Sequence, residues 1–431
     1  MLRALSYPNY RLFFGGQIVS LIGSWISMTA TSWLVYRLTG SAMLLGVVGF
    51  AGQFPGFVLG PFAGAYLDRW DRHRVLVVTQ TVSMLQSFTL ACLTFSGHIT
   101  VPAVIALNAV QGLVNAFDMP ARQTFLSTMI TDREDLANAI ALNSSMFNAA
   151  RLVGPSVAGV VIAASGEAWC FLIDGISYFA VIIALLAMKN VRLLNRPAAH
   201  VGMREHVMEG WRYVFGFRPI RSLVLQLGWL CLVAMPFTVL MPVFADRILG
   251  GGPHTLGFLM TASGVGALSG ALWLASRKSV VGLGRVILIN TVVFGSGLIG
   301  FALSRWLVLS LAFLTVVGFG MMVLMASTNT VIQTIVDDEK RGRVMSFYTM
   351  AFLGTAPFGS LLAGWLSTRV GAPQTVLVSG VLCLATAAWF SEELPAIRAL
   401  VRPIYVRMGI LPEVAQGLQT AANLMTPPEQ E

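Results

Sequence analysis

Apolar residues in this chain fall in long, nearly unbroken runs, unlike the short alternations and stripes of a water-soluble protein. Twelve runs approach or exceed the roughly 20 residues that an α-helix needs to cross a bilayer. They lie at about 12 to 36, 43 to 67, 75 to 96, 101 to 118, 139 to 163, 169 to 188, 223 to 245, 255 to 276, 283 to 303, 307 to 330, 344 to 366 and 374 to 391. Most separators are short, but one polar interval, Lys189 to Arg221, is long and follows the sixth run. Hydrocarbon satisfies no backbone N–H or C=O group, so runs of this length are predicted as helices. The pattern predicts an all-α membrane protein with twelve transmembrane helices in two six-helix bundles. Residues 1–188 form the first bundle, 189–221 a cytoplasmic linker, 222–391 the second bundle and 392–431 a cytoplasmic tail.

Composition agrees. Hydrophobic residues are 56% of the 431 and charged residues only 11%, with a mean hydropathy of +0.75. The few charges are unevenly placed. With a cytoplasmic N-terminus, 23 of the 28 Lys and Arg fall in cytoplasmic segments, and the outer loops keep only Arg37, Arg247, Arg305 and Arg369. This asymmetry sets the orientation by the positive-inside rule, with both termini and the 189–221 loop inside. The net charge of +9 then reads as topology and contact with anionic lipid, not as nucleic-acid binding. The first run is too long and Trp-rich for a cleaved signal peptide and is expected to remain as the first helix.

Soluble-enzyme chemistry is missing. No phosphate-binding loop ends in Gly-Lys-Ser/Thr, and no His begins a zinc-protease motif. Cys92, Cys170, Cys231 and Cys383 fall in or beside apolar runs at spacings that suit neither a metal site nor a disulfide framework. The stretch "GSGLIG" at 295–300 matches a dinucleotide fingerprint by letter, but it lies inside an apolar run with no strand before it. It reads as helix packing. Neither a cofactor nor a metal is expected.

The halves resemble each other weakly. A shift of 205 lays "TDREDLAN" (131–138) on "VDDEKRGR" (336–343), and a shift of 211 lays residues 68–77 on 279–288. After a three-residue slip, Gly154 and Pro155 fall on Ala356 and Pro357. Parallel repeats related by an axis along the membrane normal are a transporter architecture, with the substrate site between them near the midplane.

The charge cluster "GPFAGAYLDRWDRHRVLV" at 60–77 carries a sharper signal. Gly64, Asp68, Arg69, Arg72 and Arg74 resemble the loop 2 to 3 signature of the major facilitator superfamily. "GPSVAG", with Gly154, Pro155 and Gly159, is similar to the glycine-proline motif of that superfamily's drug and proton antiporter branch. "NYRLFFGGQIVSLIGSW" (9–25) and "DMPARQTFL" (118–126) resemble the bacterial group that includes the enterobactin exporter. The likeness covers about residues 6 to 391.

The resemblance implies a gate in which Asp68 seats against the cytoplasmic start of the eleventh helix, near Val344, with Arg122 as a candidate partner. A helix N-terminus and adjacent guanidinium groups both favour a carboxylate, and such contacts must break as two bundles rock. The alternative is a topology anchor of solvated charges. Two departures stand out. Asp71 replaces the family's second glycine, and Asn108 stands where the exporter branch often has an Arg three residues before Gln111 and Gly112. That weakens any proton coupling through such an Arg.

Polar residues inside the runs are the remaining candidates. Gln17, Ser20, Ser24, Ser27 and Thr31 share one face of the first helix, and Asn108, Gln111, Asn115 and Asp118 one face of the fourth. Facing lipid would be costly, so they line a cavity or bond between helices. Arg151 lies deepest, with Ser144 and Asn148 on its face and no acid at equal depth. An intramembrane Arg is a functional candidate by default, the alternative being a structural pair with Asp174 or with carbonyls. Gln17, Ser24, Asn108, Gln111, Asn115, Asn148 and Arg151 are the expected substrate contacts. Asp118 and Asp174 are the candidates for coupling. Past the last run, Ile397, Leu400, Val401, Ile404, Tyr405 and Met408 oppose Arg398, Arg402 and Arg407, like a helix on the inner leaflet that Pro403 should kink. Residues after about 412 are expected to be disordered.

These features point to a monomeric secondary exporter of small amphiphilic molecules, siderophore-like or drug-like, driven by protons. A facilitator or importer of a polar metabolite, or a non-transporting scaffold, are the alternatives. The topology is testable by single cysteines in a cysteine-free background. Gly97→Cys and Gly202→Cys should label from opposite sides of the membrane, and labelling of both from outside the cell would overturn the orientation.

Overall fold

The computed structural model describes residues 3–67, 70–130, 132–189, 203–277 and 279–410. Among these, twelve helices are long and apolar enough to cross a membrane. The first six are α1 (Pro8–Thr39), α2 (Ala42–Leu67), α3 (Arg72–Phe95), α4 (Val101–Met129), α5 (Arg133–Ser165) and α6 (Glu167–Ala187). A shorter helix, α7 (Met203–Gly216), follows. The second six are α8 (Arg218–Ile248), α9 (Pro253–Ala275), α10 (Leu283–Leu303), α11 (Leu307–Ile335), α12 (Asp338–Val370) and α13 (Ala372–Arg407). α8 loses its regular form beyond Val233, where Pro236 and Pro242 remove backbone donors and 3-10 and π turns take over. The face carrying Pro8 and Arg407 is called the terminal face below, and the opposite one the far face.

Each set of six packs into its own bundle, and the bundles meet along two seams, α2 on α12 and α5 on α9. The seams are copies of each other. At one, a Cβ on Gly159 would lie 2.9 Å from the Pro253 carbonyl oxygen and 3.2 Å from the Cα of Gly257. At the other, a Cβ on Gly364 would lie 2.8 Å from the Ala42 carbonyl oxygen and 3.2 Å from the Cα of Gly46. The shift of 205 that aligns the two sequences carries Gly159 onto Gly364, and the shift of 211 carries Gly46 onto Gly257. The tight turns Gly166 (φ 90°) and Gly371 (φ 93°) match under the same shift of 205. Glycine lets two backbones touch at these seams, and van der Waals contact is what lipid leaves to hold helices together.

The close approaches between bundles lie towards the far face. Besides the glycines, Ser156 and Thr261 hydroxyls meet at 2.6 Å, and Phe358 packs edge-on to Phe50, Phe54 and Phe57. At the far ends, Tyr36 donates to Asp246 (3.2 Å) and Arg247 donates to the Gly40 carbonyl (3.1 Å). Towards the terminal face the space opens. Gly56 and Gly60 of α2 have nothing in front of them, and Phe147 of α5, edge-on to Trp25, is 44% exposed.

Two expectations change at the terminal face. The 189–221 interval contains α7, which packs on α12 through Trp211 and Gly210 against Phe347, an Arg343–Glu209 ion pair and Lys340 above the Tyr213 ring. Burial there, with the Asp337 carboxylate adding to it, pushes the Tyr213 hydroxyl above its ordinary pKa. The tail helix is not a separate element. α13 runs on through Pro395 and Pro403, with Ile397, Val401 and Tyr405 buried in the protein. Leu400 and Met408 of the stripe stay exposed, and Glu393 ties the helix to the start of α8, accepting from Arg218 (3.0 Å) and Ser222 (3.0 Å). Residues after about 412 lie outside the described residues.

Candidate functional site

Around the charge cluster, Gly64 lies near the end of α2, and Asp68 and Arg69 fall outside the described residues. Asp71 caps α3, its carboxylate accepting from the backbone N–H of His73 (2.9 Å) and of Arg74 (3.4 Å). Such a cap contributes about 1 kcal/mol, which gives the departure from the family pattern a local purpose. Arg72 begins α3, and the exposed Arg74 side chain lies 3.4 Å from Asp71. His73 bonds to the Leu185 carbonyl (2.8 Å) and ties α3 to the end of α6.

Arg122, the candidate partner of Asp68, is engaged within its own helix. It pairs with Asp118 one turn earlier, and Asp118 also accepts from Thr79 and Gln80 of α3, each at 2.8 Å. Asp118 is 1% exposed, so a gating candidate and a coupling candidate form one ion pair around a buried, well-partnered carboxylate. Hydrogen bonds of this kind recover much of the cost of removing the charges from water.

Asp174, the other coupling candidate, accepts from Ser87 of α3 at 2.7 Å, so the alternative pairing with Arg151 is not made. The partners of both acids lie on a stripe that the sequence reading passed over. Thr79, Gln80, Ser83, Gln86 and Ser87 are all buried, and their three- and four-residue spacing puts them on one side of α3. The same spacing test applied to α1 and α4 would have found it.

The α1 stripe turns towards α6. Gln17 is 2% exposed, and Ser24 bonds to the Ser20 carbonyl (3.0 Å) and the Tyr178 hydroxyl (3.2 Å). The neighbouring Gly16 meets Ala180 backbone, and Gly23 meets Ser177. On α4, Gln111 donates to Ser83 (3.1 Å) and Asn115 (3.2 Å), while Asn108 bonds to its own helix and lies beside Gly52 of α2. On α5, Asn148 donates to the Ser144 carbonyl (2.9 Å).

Arg151 is the exception. It lies midway along the spanning part of α5, Asn138–Ser165, and its partly exposed guanidinium has no hydrogen bond or ion pair among the described residues. The motif that follows holds it beside the α5–α9 seam and against α1. Gly154 packs on α1 at Trp25 and Ile22, the Pro155 carbonyl and Gly159 touch Gly257 of α9, and the Arg151 carbonyl faces Gly264. Arg151 is thus carried at mid-depth on the part of α5 that packs against α1 and α9.

The fold can be placed among known proteins. A bacterial homologue of the human lysosomal transporter Spinster, solved inward-facing and unoccupied, superposes with a TM-score of 0.70 at 14% identity, over 92% of this chain and 98% of its own. The nucleoside transporter NupG gives 0.69, also at 14% identity, over 90% and 98%. The family described as transmembrane secretion effector matches residues 2–407. The chain belongs to that family, within the major facilitator superfamily. It is therefore a multi-pass integral membrane transporter of small molecules, not an enzyme. Among relatives of this secretion-effector chain, the staphyloferrin A transporter of Staphylococcus aureus is 26% identical over 391 residues, 88% of this chain and 95% of its own. The multidrug efflux pump Tap of Mycolicibacterium fortuitum is 28% identical, covering 88% and 93%, and the macrolide efflux protein A of Streptococcus pyogenes 25%, covering 88% and 96%.

The Asp118–Arg122 pair makes a prediction about stability. Arg122→Gln strands a buried carboxylate and should cost about 3 kcal/mol. Asp118→Asn combined with Arg122→Gln should recover most of that, because no charge is left unpaired. Thermal unfolding of the detergent-purified single and double variants measures the coupling. Additive losses would show that the pair is not a unit.

Proposed function

We propose that this chain is a secondary active exporter of small amphiphilic molecules, siderophore-like or drug-like, working by alternating access and driven by proton influx. It works as a monomer in the bacterial plasma (inner) membrane, with the terminal face, and so both termini and the 189–221 loop, in the cytoplasm. The observation that carries the reading is Arg151, a cation with no partner among the described residues, at mid-depth beside the α5–α9 seam. A guanidinium held in a low-dielectric space without a counter-ion favours a ligand that brings one. Asn148 on the same face, and Asn108 and Asn115 on α4, are the polar contacts proposed to orient it. Gln17, Ser24 and Gln111 are proposed to act from behind them, through their contacts with α6 and α3. Relatives named for staphyloferrin A, macrolide and multidrug transport fit a site that accepts bulky, partly polar cargo.

On this reading the contacts near the far face close the route outward, while the open terminal half admits substrate from the cytoplasm. Substrate at Arg151 offsets part of the cost of burying that charge, and the bundles then rock about it. Asp68 and Arg69 stand by the motif resemblance as the proposed gate elements of the opposite state, with Gly64 allowing the loop to approach.

Arg151→Lys keeps the charge but loses the planar fork, and Arg151→Gln loses both. Binding of one siderophore in its carboxylate and esterified forms, measured on detergent-purified protein, should show the acid form lost in Arg151→Gln and weakened in Arg151→Lys, with the ester little changed. Equal losses for both forms would make Arg151 a structural residue.

A further inference from the structure

The two acids buried in the first bundle are held differently. Asp118 has Arg122, Thr79 and Gln80 around it. Asp174 is 3% exposed and accepts from Ser87 at its Oδ2 (2.7 Å), with the Ser24 and Ser27 hydroxyls of α1 close by. Its Oδ1 is buried and accepts nothing among the described residues. The space beside Oδ1 exists because position 23 is glycine, where a Cβ would stand 3.0 Å away.

The groups that face Asp174 are neutral. Gly23, Ser24 and Ser27 come from α1, Gln86 and Ser87 from α3, and Ser177 and Tyr178 from its own helix. Arg37 of α1 is at the far end and is held by both oxygens of Glu167, at 2.7 and 3.1 Å. Arg11 of α1 and Arg72, His73 and Arg74 of α3 stand at the terminal ends of their helices. Arg122, beyond Tyr178, is occupied by Asp118. The Tyr178, Tyr10 and Tyr36 hydroxyls and the Cys170 and Cys92 thiols complete the titratable set on these helices.

A carboxylate buried among serine hydroxyls with no cation beside it is expensive, whereas a carboxylic acid in the same place is not. We infer that Asp174 is the proton-binding site of this transporter, and that Asp118 stays ionised as the partner of Arg122. This rests on the proton-driven reading above. Asp174 Oδ1 takes one proton while α1, α3 and α6 are closed around it, and gives it up when water reaches the junction. The buried α3 stripe supplies polar partners for that water. Ser87 and Gln86 bond at 3.3 Å, Ser83 meets Gln111 at 3.1 Å, and Gln80 and Thr79 reach Asp118 towards the terminal face. A buried water needs two to four such partners.

The site is tested without a substrate by infrared difference spectroscopy of the carboxyl C=O stretch, on the full chain in liposomes taken through neutral pH. Wild type should show a protonated-carboxyl band that Asp174→Asn abolishes and Asp118→Asn keeps. Ser87→Ala retains the acid but removes its donor, so it should shift the band, and it decides the matter if Asp174→Asn does not fold. A second arm follows efflux of ethidium driven by an imposed pH gradient. Asp174→Asn should lose it, and Ser87→Ala should displace its pH profile. A titrating band that survives in folded Asp174→Asn, or is absent from wild type, or does not respond to Ser87→Ala, would overturn the assignment. Wild type that moves no ethidium and none of the siderophores contradicts the efflux reading, while the band still decides the proton site.

Discussion

Two pairs of glycines, Gly159 with Gly257 and Gly46 with Gly364, set how the halves of this molecule meet. In lipid there is no hydrophobic gain in bringing one apolar helix to another, so contact depends on close packing, and side chains at these four positions would hold the backbones apart. Because the pairs are related by the internal repeat, α5 meets α9 as α12 meets α2. The joint is therefore balanced about the central axis, and it carries no interlocking side chains at its closest points. A seam of that kind can part without unfolding either bundle.

The second constraint is electrostatic. Within the spans, charged groups have found partners or positions near an end, as with Asp118 and Arg122, Arg37 and Glu167, and Glu393 and Arg218. The first bundle carries the dense polar packing, through the buried stripe of α3 between α4 and α6. The second bundle is more apolar, with Gln226 and Thr291 as one of its few buried side-chain pairs, at 3.0 Å. Against that background Arg151 and Asp174 stand apart, among the described residues one a cation without an anion and the other an acid without a cation. They lie on different helices and serve different proposed ligands, a substrate and a proton, which is the separation an exchanger requires.

Much of this was legible in the sequence because lipid simplifies the code. A run of apolar residues of spanning length has one structural answer, and twelve runs gave twelve helices. The repeat was visible at Gly154 and Pro155, but its purpose was not, because only the fold shows Gly159 and Gly364 occupying equivalent seams. Asp71 read as a departure from a motif and turned out to be a helix cap, a local role that needs the backbone to be seen. The polar stripe of α3 obeys the same spacing as those of α1 and α4, so it was readable and overlooked. The contacts of Tyr36 with Asp246 and of Arg247 with Gly40 join residues over 200 positions apart, and no local pattern announces them. The tail misled because an amphipathic stripe looks the same whether lipid or protein covers it. Here protein covers Ile397, Val401 and Tyr405 of it.

The central claim is that the bundle contacts near the far face must open in every transport cycle. It is tested most directly where a Cβ on Gly49 would sit 3.2 Å from the Cβ of Ser360, close to the spacing of a disulfide. Gly49→Cys and Ser360→Cys are combined in a cysteine-free background, and efflux is followed before and after oxidation. The account predicts that the cross-link stops transport and that a reductant restores it, with each single variant active throughout. Full activity in completely cross-linked protein would show that α2 and α12 do not separate there, and would contradict it.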